Sequence, residues 1–377
     1  MTATTTIDAA AMQSMMKMMK KFDVLGDFVS AEPYGNGHIN DTYAVVFDQG
    51  GTNVRYIAQR INDNIFREPA KVMENIVHVT KHIREKAEKN GIEDTSRRVL
   101  TLVQTHNGED FAYDQDGHVW RCYIFIEDAK SWDILETPKQ AYEAAKAFGA
   151  FQRDLMDYDG PRLFETIPLF HHTRSRFSVL QKAIEEDTKN RASSVKKEIE
   201  FAMSRESLAD SLLSLQQRGE IPERITHNDT KLNNVLLDNK TGEGVCVLDL
   251  DTVMPGLSLY DFGDMVRTAT NPVAEDELDI SKVKVQAPMF EAIAKGYIEG
   301  TAGALLPVEK ENMVTSGKLL TFECGIRFLT DYLQGDVYFK TKRESHNLDR
   351  CRTQFALVAS LEEHEEKLMG FVNGLGS

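Results

Sequence analysis

Positive charge is in short supply here: 44 Lys and Arg stand against 59 Asp and Glu, for a net charge of −15. A chain of that sign repels nucleic-acid backbones and anionic membrane surfaces, so neither is expected as a partner. Any phosphate it binds needs a local basic pocket. Cysteine is scarce too. The four residues Cys122, Cys246, Cys324 and Cys351 form no C-x-x-C pair and no His-bearing zinc spacing. Two of them sit in apolar, strand-like runs, where free buried thiols are ordinary, and a reducing cytoplasmic setting fits that usage. No apolar run approaches the length that spans a bilayer. The methionine-rich start (Met12, Met15, Met16, Met18, Met19) is too charged to span one and lacks the ordered regions of a signal peptide. It reads as an amphipathic helix packed on the front of the protein as far as about Phe22, with residues 1–8 loosely held. Repeats, low-complexity linkers and a clear self-association face are all missing, so a monomer is the default.

Two common nucleotide fingerprints are absent as well. There is no G-x-x-x-x-G-K-[ST], which excludes a P-loop enzyme. The Gly-x-Gly turn Gly35-Asn36-Gly37 is followed by His38-Ile39-Asn40 and then a strand. With Asn40 in the third glycine position and no helix after it, a Rossmann reading fails.

What is present is the run His227-Asn228-Asp229-Thr230-Lys231-Leu232-Asn233-Asn234. It reads H-x-D-x-K-x-x-N, the catalytic-loop grammar of kinases: an Asp for the hydroxyl, a Lys for the moving phosphate, an Asn for the metal. Taken alone it also admits a polar turn that caps the next element. Its surroundings favour the kinase. Val235–Leu237 and Val245–Leu248 flank a turn from Asn239 to Gly244, which describes a β-hairpin. Asp249 lies twenty residues after Asp229, so the hairpin returns it toward Asp229 and Asn234. One group that orients the nucleophile and oxygen ligands for Mg²⁺ then share a small volume. A literal Asp261-Phe262-Gly263 is a decoy on this reading, because it follows a loop with Pro255 and Gly256 and enters a helix. Asp261 suits helix capping or acceptance of catalytic-loop hydrogen bonds. Asp251 and Asp264 have no assigned task.

Gly35 and Gly37 allow backbone N–H groups close to phosphate oxygens. The strand Tyr56-Ile57-Ala58-Gln59-Arg60 falls where kinases carry a phosphate-binding Lys, and Gln59 occupies that place. A neutral amide does not replace the cation. Coarsely, strands occupy about 29–61, a helix runs from Ala70 to Lys89, and strands return at 99–105, 111–113 and 119–125. From Lys139 onward the chain is mostly helical, interrupted by the hairpin.

These blocks resemble the aminoglycoside phosphotransferase/choline kinase family. The specific ones are Gly37-His38-Ile39-Asn40, Thr226 through Asn234, Asp249 through Asp264, and Glu323-Cys324-Gly325-Ile326-Arg327-Phe328-Leu329 through Tyr338-Phe339. The resemblance implies an α+β, bilobal protein-kinase-like fold. Its small β-rich N-terminal lobe would span residues 1–127 and its larger, mostly α-helical C-terminal lobe 128–377. The last block is similar to members that transfer the γ-phosphate of ATP to the anomeric hydroxyl of an N-acetylhexosamine. By matching position, Asp229 would orient the hydroxyl, Lys231 neutralise the transferring phosphoryl, and Asn234 and Asp249 ligate Mg²⁺. His38, Asn40, Arg327 and Tyr338 would grip the sugar. Gly35, Gly37, Gln59, Ile126 and Glu127 would line the nucleotide, with adenine against the hinge. Without the resemblance, His38 is also compatible with a surface loop, and Glu323, Arg327 and Asp331, spaced i, i+4, i+8, with a surface salt-bridge ladder. A same-fold kinase for an aminoglycoside, choline or homoserine is the alternative. A catalytically inactive nucleotide-binding protein, supported only by Gln59, is another.

Overall fold

The structure, a computed structural model, describes residues 9–35, 39–132, 134 and 136–375. The front of the chain contains α1 (Ala9–Met19), β1 (Asp27–Pro33), β2 (Asp41–Asp48), β3 (Asn53–Arg60), α2 (Pro69–Lys89), β4 (Ala112–Tyr113) and β5 (Val119–Ile124). The five strands form one antiparallel sheet in the order β1-β2-β3-β5-β4. Alternation of side chains gives the sheet two distinct faces. Val45, Phe47, Ala58 and Cys122 pack with Met15, Met18, Met19 and Phe22, so the methionine stripe covers one face, as its spacing predicts. Arg121 and Tyr123 point the other way; Tyr123 joins the core that contains Val72, Ile76 and Val79 of α2. The strand expected over 99–105 is not regular. β5 is already paired on both sides, and the segment reaches only its free end, through Val103 N–H to Cys122 O at 2.8 Å and Ile124 N–H to Thr101 O at 3.0 Å.

The rest is mostly helical: β6 (Ala129–Lys130), α3 (Pro138–Leu155), α4 (Thr173–Glu186), α5 (Lys196–Met203), α6 (Ser211–Gln217), β7 (Arg224–Thr226), β8 (Val235–Asp238), β9 (Gly244–Val247), β10 (Met254–Gly256), α7 (Ser258–Ala269), α8 (Ala287–Thr301), α9 (Pro307–Glu311), α10 (Met313–Gln334), α11 (His346–Glu363) and α12 (Glu365–Gly374). β8 and β9 form the expected hairpin, in register at Val235 and Val247. α3 starts from a Thr137/Gln140 capping box with Pro138 in its first turn, satisfying N–H groups that a helix start leaves open.

α3 and α8 cross at backbone contact. A Cβ on Gly149 would lie 2.4 Å from Tyr297 O, and one on Gly300 would lie 2.3 Å from Lys146 O. Glycine is needed at this crossing because no side chain fits. On the far side of the helical part, Phe177, Phe322, Ile326, Leu329 and Phe355 build a second core among α4, α10 and α11. Gly300→Ala should force the α3–α8 pair apart and lower stability by about 1–3 kcal/mol, read as a lower urea midpoint at unchanged slope.

Candidate active site

β7 leads into a loop that is held from several sides. His227 is fully buried between the rings of Phe148 and Phe151. Its Nδ1 accepts the Asp229 N–H at 3.3 Å, so Nε2 carries the proton and donates to Leu248 O at 2.8 Å. Asn228 has a left-handed φ of 65°, a conformation that Asn tolerates better than most residues. Its side-chain N–H₂ donates to Thr226 O and Thr252 O. Asp261, at the start of α7, accepts the backbone N–H of His227 at 3.0 Å and of Asn228 at 2.7 Å, and Gln152 Nε2 at 2.9 Å. The rest of the literal triplet is equally structural. Phe262 is buried against Phe290 and Tyr297, and a Cβ on Gly263 would lie 2.4 Å from Ser316 O of α10.

Asp229 and Lys231 leave the loop together, with Lys231 Nζ 3.2 Å from Asp229 Oδ1. Burial works to raise the Asp229 carboxyl, but the Lys231 ammonium outweighs it and holds it below its ordinary value. At the far end of the hairpin, Leu248 N–H donates to Asn234 O at 2.7 Å. Asn234 Nδ2 donates to Asp229 O at 2.9 Å, which leaves its amide oxygen free of that bond. Asp249 follows in a left-handed turn at φ 55°. Crowding by surrounding protein atoms comes first, and the nearby charges of Asp251 and Asp229 add to it, pushing its carboxyl up to about 7, although the residue stays open to solvent. A carboxylate held this unfavourably is poised to take a cation. Among the described residues no three His, Cys, Asp or Glu side chains gather as a metal cage. One carboxylate plus an amide oxygen, completed by phosphate oxygens and water, instead suits Mg²⁺.

On the nucleotide side, Gly35 takes a left-handed φ of 76° in the turn; Gly37 lies outside the described residues. Ile126 is buried, and the exposed Glu127 pairs with Arg55. Gln59 faces inward, its Nε2 donating to Thr42 Oγ1 at 2.9 Å while its Oε1 accepts Arg121 Nε at 3.0 Å. Arg121 also pairs with Asp251, and its side chain is 1% exposed. Sequence reasoning missed Arg121; a lone arginine inside the apolar run Val119–Ile126 was the available signal. Asn40 donates to Asp251 Oδ2 at 2.6 Å and accepts Asn62 N–H at 3.0 Å. The structure thus places Asn40 on Asp251, the carboxylate that also holds Arg121.

On the acceptor side, the i, i+4, i+8 ladder is not a surface feature. Glu323 and Asp331 are buried, because α10 packs among α4, α7 and α11 rather than at the edge. Asp331 accepts the backbone N–H groups of Val337, Tyr338 and Phe339 at 2.8–2.9 Å, which fixes the loop that carries Tyr338. The Arg327 guanidinium stands 5.8 Å from the Tyr338 ring centroid, 5.4 Å from Phe339 and 5.9 Å from Phe170. His38 lies outside the described residues. Glu323, one turn before Arg327, contacts His171 Nδ1 at 2.8 Å, and His171 Nε2 lies 2.8 Å from Asn228 O. The helix that carries Arg327 is thereby linked to the peptide that precedes Asp229.

A model of the phosphotransferase enzyme family matches residues 30–292, and the chain belongs to that family. Solved structures share its fold over nearly the full length. The aminoglycoside phosphotransferase of Alicyclobacillus acidocaldarius is 13% identical, with 99% of this chain and 96% of that one covered and a TM-score of 0.57. Choline kinase from Cryptosporidium parvum Iowa II is 12% identical, with 97% and 99% covered and a TM-score of 0.59. Spectinomycin phosphotransferase, solved with ADP and spectinomycin, is 14% identical, with 94% and 98% covered and a TM-score of 0.56. The N-terminal antiparallel sheet and mostly helical remainder are therefore the kinase-like fold expected from the sequence.

The His171–Glu323 pair has a definite pH signature. Burial alone would lower the His171 imidazolium, but the Glu323 charge and hydrogen bond outweigh it and raise it above 6.5. Glu323 is held below 4.5, as its bonds to His171 and Thr173 outweigh burial. The His171 contribution is complete below pH 6.5 and is lost as pH rises through its raised folded value. The Glu323 contribution is complete above pH 4.5 and is lost as pH falls through its depressed value. Glu323→Gln should cost most between these limits, about 3–5 kcal/mol, and the Tm gap from wild type should narrow toward pH 9. A gap that stays flat would remove the ion pair. Asp261→Asn, which sets an amide N–H₂ against backbone donors, should lower Tm while the Mg²⁺ dependence of turnover stays near wild type. The opposite pattern would move the metal to Asp261.

Proposed function

We propose that the chain is an ATP-dependent, Mg²⁺-assisted kinase that phosphorylates the anomeric hydroxyl of N-acetylhexosamines. The observation that carries the acceptor class is Arg327 set among Phe170, Tyr338 and Phe339. Burial first, and then the nearby Arg327 charge, lower the Arg176 guanidinium from its ordinary value. Two guanidinium groups there disfavour a cation. Choline calls for an aromatic cage without a competing positive charge, and an aminoglycoside calls for an acidic surface. A neutral sugar is accommodated: its hydroxyls and acetamide oxygen accept from Arg327, and its C–H face lies on Tyr338. The residues up to 127 would then serve the nucleotide and those from 128 the acceptor.

In the reaction, the anomeric oxygen attacks the γ-phosphorus, the bond from γ-phosphorus to the β,γ-bridging oxygen breaks, and ADP leaves. The hydroxyl proton passes to Asp229 or to water. Because Asp229 is held below its ordinary pKa, it is a weak base, and its larger task is to hold the hydroxyl in line. That division suits a loose transition state in which positioning matters more than proton removal. Lys231 turns from Asp229 to the transferring phosphoryl, a compact ammonium against developing charge. Bound Mg²⁺ would neutralise the phosphates from Asp249 and Asn234.

The test is ADP formation with Mg²⁺ over N-acetylglucosamine, N-acetylgalactosamine, glucose, choline, homoserine and kanamycin, with the phosphorylated position read by phosphorus NMR. Turnover confined to the N-acetylhexosamines is expected. Asp229→Asn should lower kcat by roughly 10²–10⁴-fold with ADP binding intact, and Arg327→Ala should raise KM for the sugar but not for ATP. Preferred turnover of choline or kanamycin would discard the sugar.

A further inference from the structure

Kinases place a cation opposite the nucleotide phosphates on the strand where this chain has Gln59. A cation stands beside it on the neighbouring strand. Gln59 and Arg121 are partners across the β3–β5 pair, and the Gln59 amide oxygen accepts Arg121 Nε at 3.0 Å. The arginine arm lies beside the Tyr123 ring, with its guanidinium carbon 5.4 Å from the centroid. Its Nη1 bonds Asp251, two residues beyond Asp249. The guanidinium lies near enough to Asp249 for each charge to act on the other.

We propose that Arg121 is the nucleotide-phosphate cation of this enzyme, taking the role of the absent strand lysine, with Gln59 and Asp251 aiming its guanidinium toward the metal position at Asp249. This rests on the kinase reading above. Three further points support it. A guanidinium has five N–H donors, and two are used by described residues; the others serve phosphate oxygens once nucleotide entry opens the group, which is 1% exposed in the free chain. Burying an ion pair is weak ground for stability, since an apolar pair often does as well, so a charge kept at 1% exposure calls for another use. Finally, Asp251 also accepts Asn40, just after the glycine turn, at 2.6 Å, and its backbone carbonyl accepts Thr166 Oγ1 at 2.9 Å. One carboxylate thus ties the phosphate turn, the cation and the metal segment together.

The test compares ADP and adenosine binding by calorimetry on the full chain, with KM for ATP and for the sugar in parallel. For Arg121→Gln we expect ADP affinity and KM for ATP to worsen at least tenfold, with adenosine affinity and KM for the sugar unchanged. Gln59→Lys added to Arg121→Gln returns a cation on the adjacent strand and should recover most of the ADP affinity. If Arg121→Gln does not fold, Arg121→Gln with Asp251→Asn replaces the ion pair by a neutral one and should show the same selective loss of ADP. Wild-type ADP affinity in a folded Arg121→Gln overturns the assignment. So does an equal loss of ADP and adenosine, or no recovery from Gln59→Lys in a folded double variant. A wild-type chain that binds no ADP overturns the kinase reading itself.

Discussion

The catalytic loop holds its shape because one buried carboxylate reads its backbone. Asp261 lies in the first turn of α7 and accepts the N–H groups of His227 and Asn228, while its own carbonyl takes the Thr230 hydroxyl at 2.6 Å. Those peptides have no water to turn to, so the carboxylate is the alternative to unsatisfied buried donors. The positive φ of Asn228 is tolerable only in such a frame, since strained backbone persists where its surroundings over-determine it. Asp229 follows directly from that frame and pairs with Lys231. Packing of Phe262 and Gly263 fixes α7 against α8 and α10, so the helical core and the loop that carries Asp229 are mechanically one object.

Charge is distributed with similar economy. The molecule is acidic overall, yet it sets three carboxylates, Asp229, Asp249 and Asp251, within electrostatic reach of one another. They differ in their ion pairs. Asp229 has Lys231, Asp251 has Arg121, and Asp249 makes no ion pair among the described residues and is displaced toward protonation. Carboxylates this close cannot all ionise without cations. The one left over is the one a metal can claim. A parallel chain of contacts from Glu323 through His171 to Asn228 O joins the acceptor helix to the same loop, so the groups that would read the sugar and the group that would orient it share one support.

Much of this was legible before any fold was known. The H-x-D-x-K-x-x-N spacing, the hairpin after it and Asp249 at its end are local, and local periodicity and turn chemistry describe them well. The methionine stripe of α1 and the helix over 69–89 followed from spacing in the same way. The irregular segment near 99–105 did not, because whether an apolar run becomes a strand depends on which sheet edges remain free. The depth of α10 was equally invisible. Glu323, Arg327 and Asp331 have the spacing of a surface ladder, and only the helices packed around them make two of the three buried.

The sequence by itself determined the family and the local elements that carry the candidate residues Asp229, Lys231, Asn234 and Asp249, because each lies within one contiguous, patterned stretch. Tertiary structure alone decided what meets what at long range: Arg121 with Gln59 and Asp251, Asn40 with Asp251, and Glu323 with His171. These pairs are separated by between 62 and 211 positions. The Asp251 contacts come from the sheet closing onto the helical part, Gln59–Arg121 from the pairing of β3 with β5, and Glu323–His171 from α10 packing against α4. No window of sequence contains these pairings.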